Sequence, residues 1–410
     1  MTKYVKLTNF VCCHNGFQFV EGLNIDTIPF TNYGYCKPGG IYFTTFENIW
    51  RWTEYGDKEM YYIWDVIIPE DAQVYHQEDK SKADKIILYN KRTLVDFFSD
   101  NFQIALINIK QDYHIFRYIR DQTPEICMDA IKQNGHALNY VYSELQTDEI
   151  YMNAVKQSGC ALRFVLSQTY EMCMEAVKQN GYALQYVQNQ TLDICMAAVK
   201  KNGMALQYVK EQTYEICLAA VKEHGYALEY VKEQTPEICM AAVKQNHDVF
   251  RFVKEQTDEL CLEAIKNQTK YGYHMFLYVK NQTPEICLAA VEQDGIMLNY
   301  IKGQTPELCL AAVKKNGMAL VHVNNQTPEL CLAAVEQNGM ALEYVIVQTP
   351  EICLAAVGQN GNALKFVDEQ TLEICIVAVT ENCAALNYIR SNTHLFLCHS
   401  IIKYNEKIMD

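Results

Sequence analysis

The sequence predicts an α-solenoid of about thirteen 22-residue helical hairpins, preceded by a small α+β domain. Three observations predict it. A Gln-Thr pair, or its aligned equivalent, recurs at Gln122, Gln146, Gln168, Gln190, Gln212, Gln234, Gln256, Gln282, Gln304, Gln326, Gln348 and Gln370, with two extra residues before Gln146 and four before Gln282. Each pair opens a segment with helix-start chemistry and 3,4-spaced apolar residues. Before about residue 92 the pattern changes to strand-like runs, and all three tryptophans, Trp50, Trp52 and Trp64, lie there.

In chain order, residues 1–92 read as the α+β module, with GGIYFTTF and MYYIWDVII as strands. Residues 93–99 read as a linker or first helix. Repeats fill 100–391, starting with a diverged copy from Asp100 to Asp121 in which Lys110, Gln111 and Tyr118 match Lys132, Gln133 and Tyr140. A full unit reads TPELCLAAVKKNGMALVHV from Thr305. Thr305 is an N-cap, Pro306 fits the first helical position without wasting a donor, and Glu307 complements the helix dipole. Leu308, Cys309, Ala312 and Val313 make the buried stripe, and Gly317 is expected to end the helix as a left-handed C-cap. The remaining MALVHV fits about two turns of a second helix. So short a helix is marginal alone, and stability must come from stacking on neighbouring units. Residues 392–410 read as a capping helix and tail, and the insertion around Thr269–Gly272 as a loop extension.

Of seventeen cysteines, eleven share one repeat position: Cys127, Cys173, Cys195, Cys217, Cys239, Cys261, Cys287, Cys309, Cys331, Cys353 and Cys375. Layers about 8–10 Å apart exceed disulfide reach, so the ladder is expected to stay reduced, in a compartment such as the cytosol. A net charge of −14 without a Lys/Arg cluster disfavours nucleic acid. No run reaches the ~18 apolar residues of a membrane span, nor does the start read as a secretion signal. A soluble protein without membrane contact is expected.

Candidate binding positions are those where the repeats differ. One row is Arg163, Gln185, Gln207, Glu229, Arg251 and Leu277; the next is Lys210, Lys232, Lys254 and Lys280, with Asp368 and Arg390. These rows are expected to form a concave face for a protein partner. The recurring aromatics, such as Tyr140, Phe164 and Tyr186, and the repeated Gln are expected to be structural, packing between hairpins and bonding backbone groups. In the N-terminal module Cys12, Cys13, His14 and Cys36 lack a C-x-x-C pair, so packing is preferred to a metal site, and no cofactor is expected.

The order His14-Asn15-Gly16, GGIYFTTFENIWRW, YIWDVIIP and ADKIILYN resembles the strand order of ADP-ribosyltransferase-like domains. That resemblance implies His14 and Tyr42 as an NAD-binding pair, with Asp84 in the place of the late catalytic acid. The segment YCKPGGIYFTTFENIWRW through ADKIIL, about residues 4–92, resembles the N-terminal module that precedes ankyrin repeats in proteins of giant, mimivirus-type viruses. The core AVKQNGYALQYV at Ala176–Val187 resembles a repeat family of unknown function. Tyr151 for Cys, His247 for Gly and His322 for the aromatic depart from it. The resemblance implies an intracellular viral protein in the host cytoplasm, and the family carries no assigned chemistry that could be transferred to particular residues. A protein–protein interaction scaffold is the leading expectation, with an NAD-binding effector or a virion component as alternatives.

Overall fold

A computed structural model describes residues 3–14, 16–33, 37–55, 58–267 and 273–399. Asn15, Cys36, the insertion at 269–272 and the tail at 400–410 lie outside the described residues. The chain forms two compact units, Met1–Glu211 and Gln212–Asp410.

Among the described residues the first unit opens with eleven strands: β1 Tyr4–Thr8, β2 Cys13–His14, β3 Phe17–Gln18, β4 Gly22–Ile25, β5 Ile41–Thr45, β6 Glu54–Tyr55, β7 Lys58–Glu59, β8 Tyr62–Ile67, β9 Val74–His76, β10 Ser81–Ala83 and β11 Lys85–Thr93. Seven of them form one antiparallel sheet in the order β4-β11-β8-β1-β5-β10-β9. Phe19, Ile41, Phe43, Trp64, Val66, Ile86 and Leu88 make its core. β1 pairs fully with β8, yet with β5 only at Tyr4↔Thr45 and Val5↔Thr44. Beyond those pairs the two central strands part.

Helix α1 (Leu94–Asp100) follows, capped by Thr93, and then α2 (Phe102–Gln111), the helix of the first repeat. Asn108 on α2 is fully buried. Its Oδ1 accepts from the Trp50 N–H at 2.9 Å, and its Nδ2 donates to the Phe46 carbonyl at 2.9 Å. Phe46–Trp52 is a 3-10 helix of the sheet domain, so the first repeat is bonded to that domain.

Among the described residues the first unit holds five pairs of an α-helix with a following 3-10 helix, and the second holds eight. The tandem repeats form a solenoid. In the unit from Thr305, the Thr305 hydroxyl accepts from the Leu308 N–H at 3.3 Å and opens the helix Pro306–Lys315. The second helix, Gly317–His322, is a 3-10 helix of six residues, which is two tight turns. Leu308, Cys309, Ala312, Val313, Ala319, Leu320 and Val323 are buried.

The expected left-handed cap at Gly317 is corrected by the structure. Among the described residues, left-handed glycines occur only at Gly16, Gly22, Gly39 and Gly40, all in the sheet domain. The α-helix ends because Asn316 is extended (φ −151°, ψ 108°), and its Oδ1 accepts from the Met318 N–H at 3.1 Å to start the 3-10 helix. Glycine is needed at 317 for space: a Cβ there would lie 2.3 Å from the Ala334 carbonyl oxygen of the next repeat. His247 occupies this position where the following helix, Asp258–Lys266, ends one residue early.

Candidate functional site

Two regions can bind something: the repeat surface and the wedge in the sheet domain. The repeat surface is set by a glutamine clamp. Gln304 donates from Nε2 to the His322 carbonyl at 2.7 Å, while its Oε1 accepts from the Asn324 N–H at 3.0 Å and from the Cys309 thiol at 3.7 Å. The same three bonds recur at Gln168, Gln190, Gln212, Gln234, Gln326 and Gln348. The repeated Gln therefore bonds backbone, as its chemistry suggested. At the departure Tyr151, the phenol replaces the thiol and donates to Gln146 Oε1 at 2.9 Å.

In these repeats the clamp fixes the residue two positions before the next Gln-Thr. Its N–H is bonded, and its side chain is free to vary. Lys210, Lys232, Lys254 and Lys280 all stand there, exposed. Lys254 Nζ donates to the Lys232 carbonyl at 3.0 Å and Lys280 Nζ to the Lys254 carbonyl at 2.9 Å. In the first unit Lys210 Nζ reaches the Gln188 carbonyl at 2.9 Å. Lys232 also lines a groove of about 180 Å³ with Gln212, Tyr214, Glu233 and Thr235. The other row is exposed as well: Arg163 lies over the Phe164 ring (4.7 Å), Arg251 over Phe252 (4.7 Å), and Gln185 and Gln207 bond the Tyr182 and Met204 carbonyls, with Glu229 beside them in sequence register.

The wedge where β1 and β5 part is a cavity of about 290 Å³, lined by Lys6 and Thr8 of β1, Ile41, Tyr42 and Phe43 of β5, and by His14, Phe17, Phe19, Asp26, Trp52 and Lys80. Its rim requires Gly39 and Gly40. Both have left-handed φ (+85° and +119°), and a Cβ on Gly39 would meet the Pro29 carbonyl at 2.1 Å. The Gly40 N–H donates to Asp26 Oδ2 at 2.7 Å, which holds the rim closed on the loop after β4.

His14 and Tyr42 thus line one cavity, but Asp84 does not. Asp84 sits between β10 and β11, and its Oδ1 accepts from the Gln73 N–H at 2.8 Å. The carboxylate on the cavity is Asp26. Lys6 and Lys80, which sequence reasoning passed over, are both buried there. The strand YVKLT is buried on both faces, Val5 and Leu7 on one and Lys6 and Thr8 on the other, so Lys6 cannot reach solvent freely. Burial lowers the Lys6 amine to about 8.

The described cysteines are free thiols, and burial pushes Cys217, Cys239, Cys261 and Cys375 up to about 11. Among the described residues no group of three or more His, Cys, Asp or Glu could hold a metal ion, and no helix is long and apolar enough to cross a membrane.

Comparison with known proteins bears on the repeats. They match a domain of unknown function, DUF4116. The matched segments are 123–168, 149–192, 169–212, 191–235, 213–258, 305–348 and 327–372. Each spans two of the 22-residue units, so the family's domain corresponds to a pair of layers. The chain is also similar to an ankyrin repeat protein of Acanthamoeba polyphaga mimivirus, 35% identical over 100 residues, which is 23% of this chain and 48% of the relative. The chain thus spans about half the length of that relative. No solved structure matches it. The two likenesses support a repeat protein of giant-virus type.

Proposed function

We propose that the chain is a protein–protein interaction scaffold that binds host or viral proteins along its repeats during infection, in the host cytoplasm. The observation that supports this reading is the clamp. It repeats one backbone frame every 22 residues while the exposed side chains on that frame change, as in Arg163, Gln185 and Gln207, or Lys280, Asp368 and Arg390. A fixed frame with varied side chains suits recognition, because the backbone ordering cost has already been met by folding. The test is capture from infected-cell lysate with the full chain and with a variant carrying Lys210→Glu, Lys232→Glu, Lys254→Glu and Lys280→Glu. The reading expects one or more proteins to be captured by the parent and lost by the variant; an unchanged set of captured proteins removes the lysine row from the binding face.

A second reading is favoured by one observation: His14 and Tyr42 meet on one cavity. In it the N-terminal module is an NAD-binding effector domain. Asp84 lies off the cavity, so this reading stands on ligand binding and not on transfer chemistry. Calorimetric titration of the full chain with NAD tests it, and absence of binding at millimolar ligand would sink it.

A further inference from the structure

We propose that Lys6 is a nucleophilic amine in the wedge between β1 and β5, placed to take up a small apolar aldehyde or ketone as an imine. The proposal goes beyond the NAD reading, since it rests on an amine that reading does not use.

The first support is placement. The cavity exists because the β1–β5 ladder stops after two residue pairs, so it is built into the sheet and needs no induced opening. The pairs Lys6↔Trp64 and Tyr4↔Thr45 put Lys6 on the sheet face that carries Ile41 and Phe43. Those two residues line the cavity with Lys6, as do Phe17 and Phe19, and Lys6 Nζ lies 4.7 Å from the centre of the Phe19 ring. The amine therefore stands among apolar walls. At about 290 Å³ the cavity has room for a small ring.

The second support is chemical state. Lys6 is 7% exposed, and among the described residues its amine has the Phe19 ring beside it and no hydrogen-bond or ion-pair partner. Among the described residues the one carboxylate lining the cavity, Asp26, accepts from the Ile28 and Gly40 N–H groups. With only a ring face beside it the ammonium is poorly compensated, and burial lowers the amine to about 8. About a quarter of it is then neutral at about pH 7.5, against about one part in a thousand for an ordinary lysine. A neutral, desolvated amine is the form that attacks a carbonyl. The Lys6 nitrogen lone pair adds to the carbonyl carbon, a proton passes from nitrogen to oxygen, and loss of water leaves the C=N bond. No oxidant or reductant enters this step.

The test is reductive trapping of the full chain with benzaldehyde and sodium cyanoborohydride at about pH 7.5, read by intact mass and by peptide mass mapping. Lys6 is expected to be benzylated about tenfold or more faster than the exposed Lys156 and Lys178, at a rate that saturates as benzaldehyde is raised. An aldehyde-bearing dextran, too large to enter the wedge, is expected to modify the exposed lysines and spare Lys6. Lys6→Arg keeps the charge and cannot form the imine, so it is expected to lose the fast label, with retained fold checked by circular dichroism. The proposal is overturned if Lys6 reacts no faster than Lys156 and Lys178, if the dextran reaches Lys6 as readily as benzaldehyde does, or if folded Lys6→Arg keeps the fast label. The first two outcomes need no variant. NAD binding by a chain whose Lys6 does not react would leave the effector reading standing and overturn this one.

Discussion

At the residue scale, Lys6 and the cysteine ladder make opposite uses of burial. Burial lowers the Lys6 amine from its ordinary 10.5 to about 8. Below pH 8 the folded and unfolded chains both carry the proton, and the folded state bears the full cost of a buried charge. Between pH 8 and 10.5 the folded chain has lost it while the unfolded chain keeps it, so stability rises with pH across that window. Lys6→Met is therefore expected to stabilise the chain at pH 7 by about 3 kcal/mol, an advantage that disappears by about pH 10.5. Urea unfolding of parent and variant across that range measures it; an advantage that persists undiminished at high pH contradicts the assignment. For the thiols, burial favours the neutral form. At pH 8 a group near 11 is thiolate at roughly one part in a thousand. Brief alkylation of the folded chain is expected to modify exposed Cys383 and to spare Cys217, Cys239 and Cys261, as peptide mass mapping would show.

Elements succeed or fail on what the next layer brings. Gly317 begins a 3-10 helix directly under the Ala334 carbonyl, whereas Gly358 lies inside the helix Pro350–Gln359 with only the Val377 side chain, at 3.8 Å, near its absent Cβ. Gly317→Ala is expected to destabilise by about 1–3 kcal/mol through overpacking. Gly358→Ala is expected to stabilise by about 0.5–1 kcal/mol through helix propensity. Thermal melts of the two variants should move in opposite directions. This contrast also marks how far the sequence could be read. Thr305, Pro306 and the stripe from Leu308 to Val313 act locally, and their roles were legible. The reason for Gly317 was not, because the atom that demands glycine belongs to a residue in the following repeat. The same holds for the wedge: Lys6 looks like an ordinary strand residue until β8 covers one side of β1 and β5 turns away on the other. Asn108 gives no local sign that it bonds a helix 58 residues earlier in the chain.

For the whole molecule, the account is that one 22-residue unit is one layer, and that the clamp from Gln to Gln sets the register in which side chains are shown to a partner. The cost of forming each short helix is offset by its neighbours, so whole layers should be removable and fractions of a layer should not. The most direct measurement is the thermal unfolding of two internal deletions, followed by circular dichroism. Removing residues 304–325 joins Gly303 to Gln326 and restores the repeat across the junction. That chain is predicted to keep a cooperative transition within roughly 5 °C of the parent, whereas removing only 304–314 is predicted to abolish or broadly smear it. Equal tolerance of both deletions, or collapse of the 304–325 deletion, would contradict the account.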